Sequence, residues 1–240
     1  FVYFARPDSK LLGASVNEAR RRMGIQLARE YKIRADVVIP IPDSAIPAAL
    51  GYSQESGIPF DHGLIKNRYI HRTFIRPAQK LRDRDLKMKL NPLPEVIKGK
   101  RVIVIDDSIV RGTTSKKIVS MLRMAGAKEV HFLSSSPPVR YPDFYGIDTP
   151  RQEDLIASKM TVSEVANFMK ADSVYYLSYQ GLIAAIGLPE KLFCTSCFTG
   201  EYPIDLGERW EEVVCDIHVG DITVSKHKHK LVQSGYVYGT

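Results

Sequence analysis

The stretch Arg101 to Thr114, RVIVIDDSIVRGTT, constrains this chain more than any other. Its opening, Arg101 to Ile105, is a β-branched run of the kind that forms a strand buried on both faces. The run breaks on the adjacent acids Asp106 and Asp107, then crosses a turn of glycine and hydroxyl residues. It continues into Ser115 to Ala125, where Ile118, Met121, Leu122 and Ala125 recur at helical spacing. A doubly buried strand that hands over to an amphipathic helix needs parallel neighbours and cover on both faces.

The rest of the chain supplies both. Asp36 to Pro40 (DVVIP) is a second buried run, stopped by prolines, and Val130 to Ser134 and Val174 to Leu177 read as further strands. Between them lie predicted helices: Ser15 to Tyr31, with Ser15 and Glu18 as a capping box, then Ala48 to Gly57, Glu153 to Ala157, Thr161 to Met169 and a segment ending at Ile186. Alternation of this kind predicts an α/β domain with a mainly parallel sheet flanked by helices. Phe1 to Ser9 reads as a strand broken at Pro7, and Gly63 to Lys66 as a short strand. Ile41 to Ile46 and the long stretch Asn67 to Pro94 read as loops, and Leu188 to Thr240 as a tail without clear period.

Composition narrows the function classes. The longest apolar runs are far shorter than the roughly 20 residues of a membrane-spanning helix. Only three cysteines occur, Cys194, Cys197 and Cys215, too few for a disulfide framework, so a reducing, cytoplasmic setting is expected. The formal charge of +7 is compatible with nucleic acid, an anionic small substrate or a solvated basic surface. Lys66 to Arg84 gathers Lys66, Arg68, Arg72, Arg76, Lys80, Arg82 and Arg84, a density that reads first as an anion-gripping loop and second as a solvated basic loop. KHKHK at Lys226 to Lys230 reads first as a solvated basic tail and second as a transition-metal ligand run.

At the strand end, Asp106 and Asp107 can accept from sugar hydroxyls and hold magnesium. The plainer alternative is that they cap a loop. Val110 to Thr114 leads into a helix amino terminus, whose free N–H groups suit a monophosphate; Gly112 lets the backbone approach, and Thr113 and Thr114 add hydroxyls.

These residues resemble the phosphoribosyl pyrophosphate (PRPP) signature of type I phosphoribosyltransferases. Together with ARPDS at Ala5 to Ser9, IPDSAIPAALGY at Ile41 to Tyr52, GLIKNRYIHRTFIRP at Gly63 to Pro77 and FYGIDTP at Phe144 to Pro150, they are similar to the glutamine PRPP amidotransferases, in the same order from Phe1 to about Pro203. The resemblance implies a type I phosphoribosyltransferase fold over 1–187, with a small lid or hood and an active-site loop at about 66–94, and an irregular carboxy-terminal extension with a CxxC over 188–240. It also implies an activity: 5-phosphoribosylamine and pyrophosphate from PRPP and ammonia, the first committed step of purine biosynthesis.

The resemblance further implies roles. Pro42, Asp43 and Ser44 form a pyrophosphate loop; Asp106, Asp107, Ser108, Val110, Arg111, Gly112, Thr113 and Thr114 bind the ribose and 5-phosphate. Ser44, Asp106 and Asp107 surround Mg²⁺, and Lys66, Arg68, Tyr69 and Arg72 act from the closing loop. A [4Fe–4S] cluster in the full-length protein is a further implication, with Asp143, Cys194 and Cys197 offered as ligands. Such a cluster takes four thiolates; one family cysteine would precede residue 1 and another falls at Asp143, so this chain is expected to carry a labile or empty site. Cys215 is a substitute ligand or a lone buried thiol. The family's glutaminase begins with a cysteine nucleophile that Phe1 does not match, so the chain reads as an excised or separately encoded transferase half without glutaminase activity. Purine nucleotides as inhibitors and a homo-oligomer complete the expectation; membrane and nucleic-acid partners are not expected. The alternatives are a PRPP- or nucleotide-responsive regulatory binding protein on the same fold and an enzyme using a nucleobase in place of ammonia.

Overall fold

The computed structural model describes residues 1–67, 90–145 and 151–207, Arg209, Val213 and two short strands beyond them. Arg68, Tyr69, Arg72, most of the basic stretch, Cys215 and Lys226 to Lys230 lie outside the described residues.

In chain order, β1 (Lys10–Leu11) and β2 (Ala14–Ser15) form a small hairpin ahead of helix α1 (Val16–Glu30), and β3 (Val37–Pro40) leads to α2 (Ile46–Ser56). Strands β4 (Leu64–Lys66) and β5 (Leu90–Pro92) pair antiparallel, followed by the short α3 (Pro94–Ile97). Then come β6 (Arg101–Asp106), α4 (Thr113–Met124), β7 (Glu129–Ser134), α5 (Val162–Met169), β8 (Ser173–Tyr176), α6 (Tyr179–Ile186) and α7 (Ser196–Thr199). A last hairpin joins Ile217–Val219 to Ile222–Val224. The central sheet is parallel throughout, in the order β3-β6-β7-β8. Among the described residues no helix is long and apolar enough to cross a membrane.

The period-2 alternation of β6 divides the core between the two faces of the sheet. Val102 and Val104 pack with Val130, Phe132, Ile118 and Val165 on one side. Ile103 and Ile105 pack with Val38, Leu133, Met23, Tyr52 and Leu182 on the other. Helices α1 and α2 approach closely because each places a glycine at the crossing: a Cβ on Gly24 would run into the Ala48 carbonyl, and one on Gly51 into the Arg21 carbonyl.

Several expected elements take another form. Phe1 to Ser9 is irregular, because the Phe1 and Ala5 carbonyls accept from the buried Arg20 side chain at 2.9 and 2.8 Å and so do not join a ladder. Glu153 to Ala157 is two 3₁₀ turns, Gln152–Asp154 and Ile156–Ser158, where a continuous helix was expected. Within Asn67 to Pro94, the end of the stretch is ordered as β5, held against β4. The Ser15 cap is present, accepting from Glu18 N at 3.3 Å, and Thr161 with Glu164 forms a full capping box at α5.

Candidate active site

The site is built at the carboxyl ends of two adjacent parallel strands, β3 and β6, where Pro40 pairs in register with Ile105. Ile41 N donates to Ile105 O at 2.9 Å, so the loop Pro42, Asp43, Ser44 leaves the sheet beside the acids Asp106 and Asp107. Asp43 is exposed, Pro42 and Ser44 half-buried. Lys66, at the end of β4, reaches this loop: its Nζ donates to Asp43 Oδ2 at 2.9 Å.

Asp106 and Asp107 are tied locally. Asp106 Oδ1 accepts from Asp107 N at 2.9 Å, and Asp107 Oδ1 accepts from Ser108 Oγ at 3.0 Å. Burial, then the neighbouring negative charge of Asp107, hold the Asp106 carboxyl well above the usual carboxylate range. That crowding of hard oxygen donors is the chemistry a divalent cation relieves. Among the described residues no three His, Cys, Asp or Glu side chains form a metal group, but magnesium arriving with a phosphorylated substrate needs only one or two carboxylates. The acid pair therefore fits that ion.

Beyond the acids, Ile109 is buried and anchors the turn, Val110 O accepts from Ile156 N at 2.9 Å, and Gly112 takes the left-handed conformation (φ 70°) that caps α4. Gly112 O accepts from Lys116 N at 2.9 Å. Thr113 and Thr114, exposed in the first turn of this 12-residue helix, leave N–H groups and hydroxyls open to an anion. Arg111 lies 3.6 Å from Asp154.

Asp143, Cys194 and Cys197 form a separate corner. Cys197 is buried; its Sγ accepts from the Tyr3 hydroxyl at 3.8 Å, and burial pushes its thiol up to about 12. Cys194 is exposed with its Sγ 3.1 Å from Ser196 Oγ, and Asp143 Oδ1 accepts from Tyr145 N at 2.8 Å. Asp143's charge acts on both Cys197 and Tyr3, so the three residues share one neighbourhood. Among the described residues this corner supplies two thiols, one engaged by tyrosine, and one carboxylate, which do not fit the four-thiolate demand of a [4Fe–4S] cluster.

Sequence reasoning missed Arg20 and Tyr3. Arg20 is 2% exposed, and the charge of Asp107 acts on it, as it does on Tyr3. Burial lowers the guanidinium's pKa, and Asp107 opposes that. The signal was present in the spacing: Val16, Arg20, Met23, Gly24 and Leu27 lie on one helical stripe, which places a cation among apolar neighbours.

Residues 14–136 match the phosphoribosyl transferase domain family. A Synechocystis amidophosphoribosyltransferase is 55% identical over 203 residues, covering 85% of this chain and 41% of that protein. The Bacillus subtilis amidophosphoribosyltransferase is 50% identical over 210 residues, covering 86% and 44%. The solved structure of the B. subtilis glutamine PRPP amidotransferase complexed with ADP and GMP superposes with a TM-score of 0.77 at 50% identity, covering 85% of this chain and 46% of that one. The chain thus spans less than half the length of these relatives.

Proposed function

Because the chain belongs to the phosphoribosyl transferase domain family, we propose that it is the phosphoribosyl-transferring part of an amidophosphoribosyltransferase, forming 5-phosphoribosylamine and pyrophosphate from PRPP and ammonia. The observation that carries this reading is the meeting of the Asp106–Asp107 pair, the Gly112-led helix start and the Lys66–Asp43 bridge at neighbouring strand ends.

In this reading Val110 to Thr114 hold the 5-phosphate through backbone N–H groups and the Thr113 and Thr114 hydroxyls. Asp106 and Asp107 accept from the ribose hydroxyls and, with Ser44, hold the magnesium that accompanies the substrate; bound there, it neutralises charge on the departing pyrophosphate. Pro42 to Ser44 cradle that leaving group. Lys66 transfers its charge from Asp43 to the pyrophosphate, and Arg68, Tyr69 and Arg72 close over it from the loop, excluding water that would compete with ammonia at C1. Ammonia attacks a cation-like ribosyl carbon, so positioning and charge stabilisation carry the rate without a protein nucleophile. In the whole protein the ammonia derives from glutamine, hydrolysed outside this chain. Purine nucleotides are its expected inhibitors, a cytoplasmic homo-oligomer its expected form, and 1–187 its transferase domain with 188–240 as an extension. The thiol corner is read as structural, without a cluster in this chain.

The test is pyrophosphate release from PRPP, with and without magnesium, offering ammonium, glutamine or nucleobases. Release that needs magnesium and ammonium supports the reading. Turnover with a nucleobase, or tight PRPP binding with no turnover by any acceptor, overturns it.

A further inference from the structure

At the β8 edge of the sheet, the described residues line an open cavity of about 390 Å³, beside the carboxyl end of β8 and the segment that follows β7. Its walls are largely aromatic, with the rings of Tyr31, Tyr175, Tyr179 and Phe198, and its one charged lining residue is Arg140. The Nε of that guanidinium is buried and has no hydrogen-bond partner among the described residues. The adjacent Tyr176 is 5% exposed, and its hydroxyl is likewise buried with no partner. A native fold seldom leaves such donors unsatisfied side by side, since each loses its water without replacement. No carboxylate lines the cavity to answer them.

We propose that this cavity binds a small anion, a carboxylate or a phosphate, carried on a planar aromatic body. Arg140 and Tyr176 donate to the anion, and the tyrosine and phenylalanine rings pack on the body, an offset contact that aromatic side chains favour. The site is separate from the phosphate cradle, which lies at the ends of β3 and β6, across the sheet from the edge strand. A peptide added along the edge is the less fitting occupant, because β8 offers only four residues of ladder.

The experiment follows the Arg140 Nε–H resonance by NMR in the whole chain during titration with benzoate, phenyl phosphate and inorganic phosphate. Binding of benzoate or phenyl phosphate that shifts this resonance, and that weakens about tenfold or more in Arg140→Met, is expected; which of the two binds identifies the anion as carboxylate or phosphate. Tyr176→Phe is the second variant, expected to weaken the same ligand severalfold while keeping the fold. Inorganic phosphate binding as well as phenyl phosphate would overturn the aromatic body. No shift with any probe, a shift indifferent to both substitutions, or a response only to an extended peptide would overturn the site.

Discussion

Gly112 joins the phosphate turn to α4 in a conformation that L side chains avoid, and its Cα faces a buried side chain: a Cβ there would stand 2.6 Å from Ile156 Cδ1. Gly112→Ala therefore meets two separable costs. The left-handed backbone costs about 1–2 kcal/mol. The close approach adds to this unless Ile156, 6% exposed, turns aside. Ile156→Val alone should cost about 0.5–1.5 kcal/mol as a core truncation. In the Gly112→Ala background the same truncation removes the offending methyl, so its cost should shrink, with a coupling of about 0.5 kcal/mol or more. The assay is thermal and urea unfolding of the four proteins, with PRPP affinity as a second readout. We expect Gly112→Ala to lower Tm by about 2–8 °C and to weaken PRPP, because the turn that presents the helix N–H groups must move. A Gly112→Ala protein within about 0.5 kcal/mol of the parent, with additive double-mutant energies, would refute the argument.

Asp106→Asn should act oppositely on stability and function. A carboxyl held above its ordinary value favours the folded state at low pH and loses that contribution as pH rises, so at neutral pH Asp106 is a cost that asparagine removes. The metal-free variant should thus be at least as stable as the parent by thermal melting, yet lose about 100-fold or more in magnesium-dependent turnover; a large drop in Tm would contradict this. Gly24→Ala should lose about 1–3 kcal/mol or more, since the obstacle is the Ala48 backbone carbonyl and cannot rotate away; a soluble variant with parental Tm would show that the helices slide apart freely. Asp36 pairs with Arg101 side chain and backbone, which hold its carboxyl below the usual range. That contribution is present above the ordinary Asp value and lost as pH falls, so Asp36→Asn should lower Tm at pH 7, with the gap to the parent narrowing below about pH 3.9. A pH-independent gap would assign the effect to packing.

Much of this is legible in the sequence. The β-branched runs at Val37–Pro40 and Arg101–Asp106 announced doubly buried strands because no polar residue interrupts them, and both became neighbours in the parallel sheet. The acid pair and the glycine–threonine turn likewise sit at a strand end and a helix start. What failed was local and had a common cause. Phe1 to Ser9 carries a strand-like pattern, but its carbonyls are claimed by Arg20, a partner distant in sequence. Glu153 to Ala157 has helical residues, yet Ile156 N is drawn to Val110 O and Ser158 Oγ donates to the Gln152 and Leu155 carbonyls, which breaks the segment into separate turns. The role of Arg20 was hidden inside the run Arg20–Arg21–Arg22, whose members differ only in which side of the helix they occupy.

If Lys66 and the Asp43 loop serve pyrophosphate as proposed, the bridge between them bears on how the site chooses among anions. A cation already occupied presents little attraction to a passing chloride or carboxylate, which would have to displace a tethered competitor to gain one contact. A pyrophosphate, dense in charge and able to engage several donors at once, can win that exchange. The count of ion pairs is then conserved, so added salt should penalise capture less than the basic composition of the chain implies. In the proposed reaction the same arrangement would help release, because the displaced Asp43 carboxylate stays alongside to reclaim its lysine.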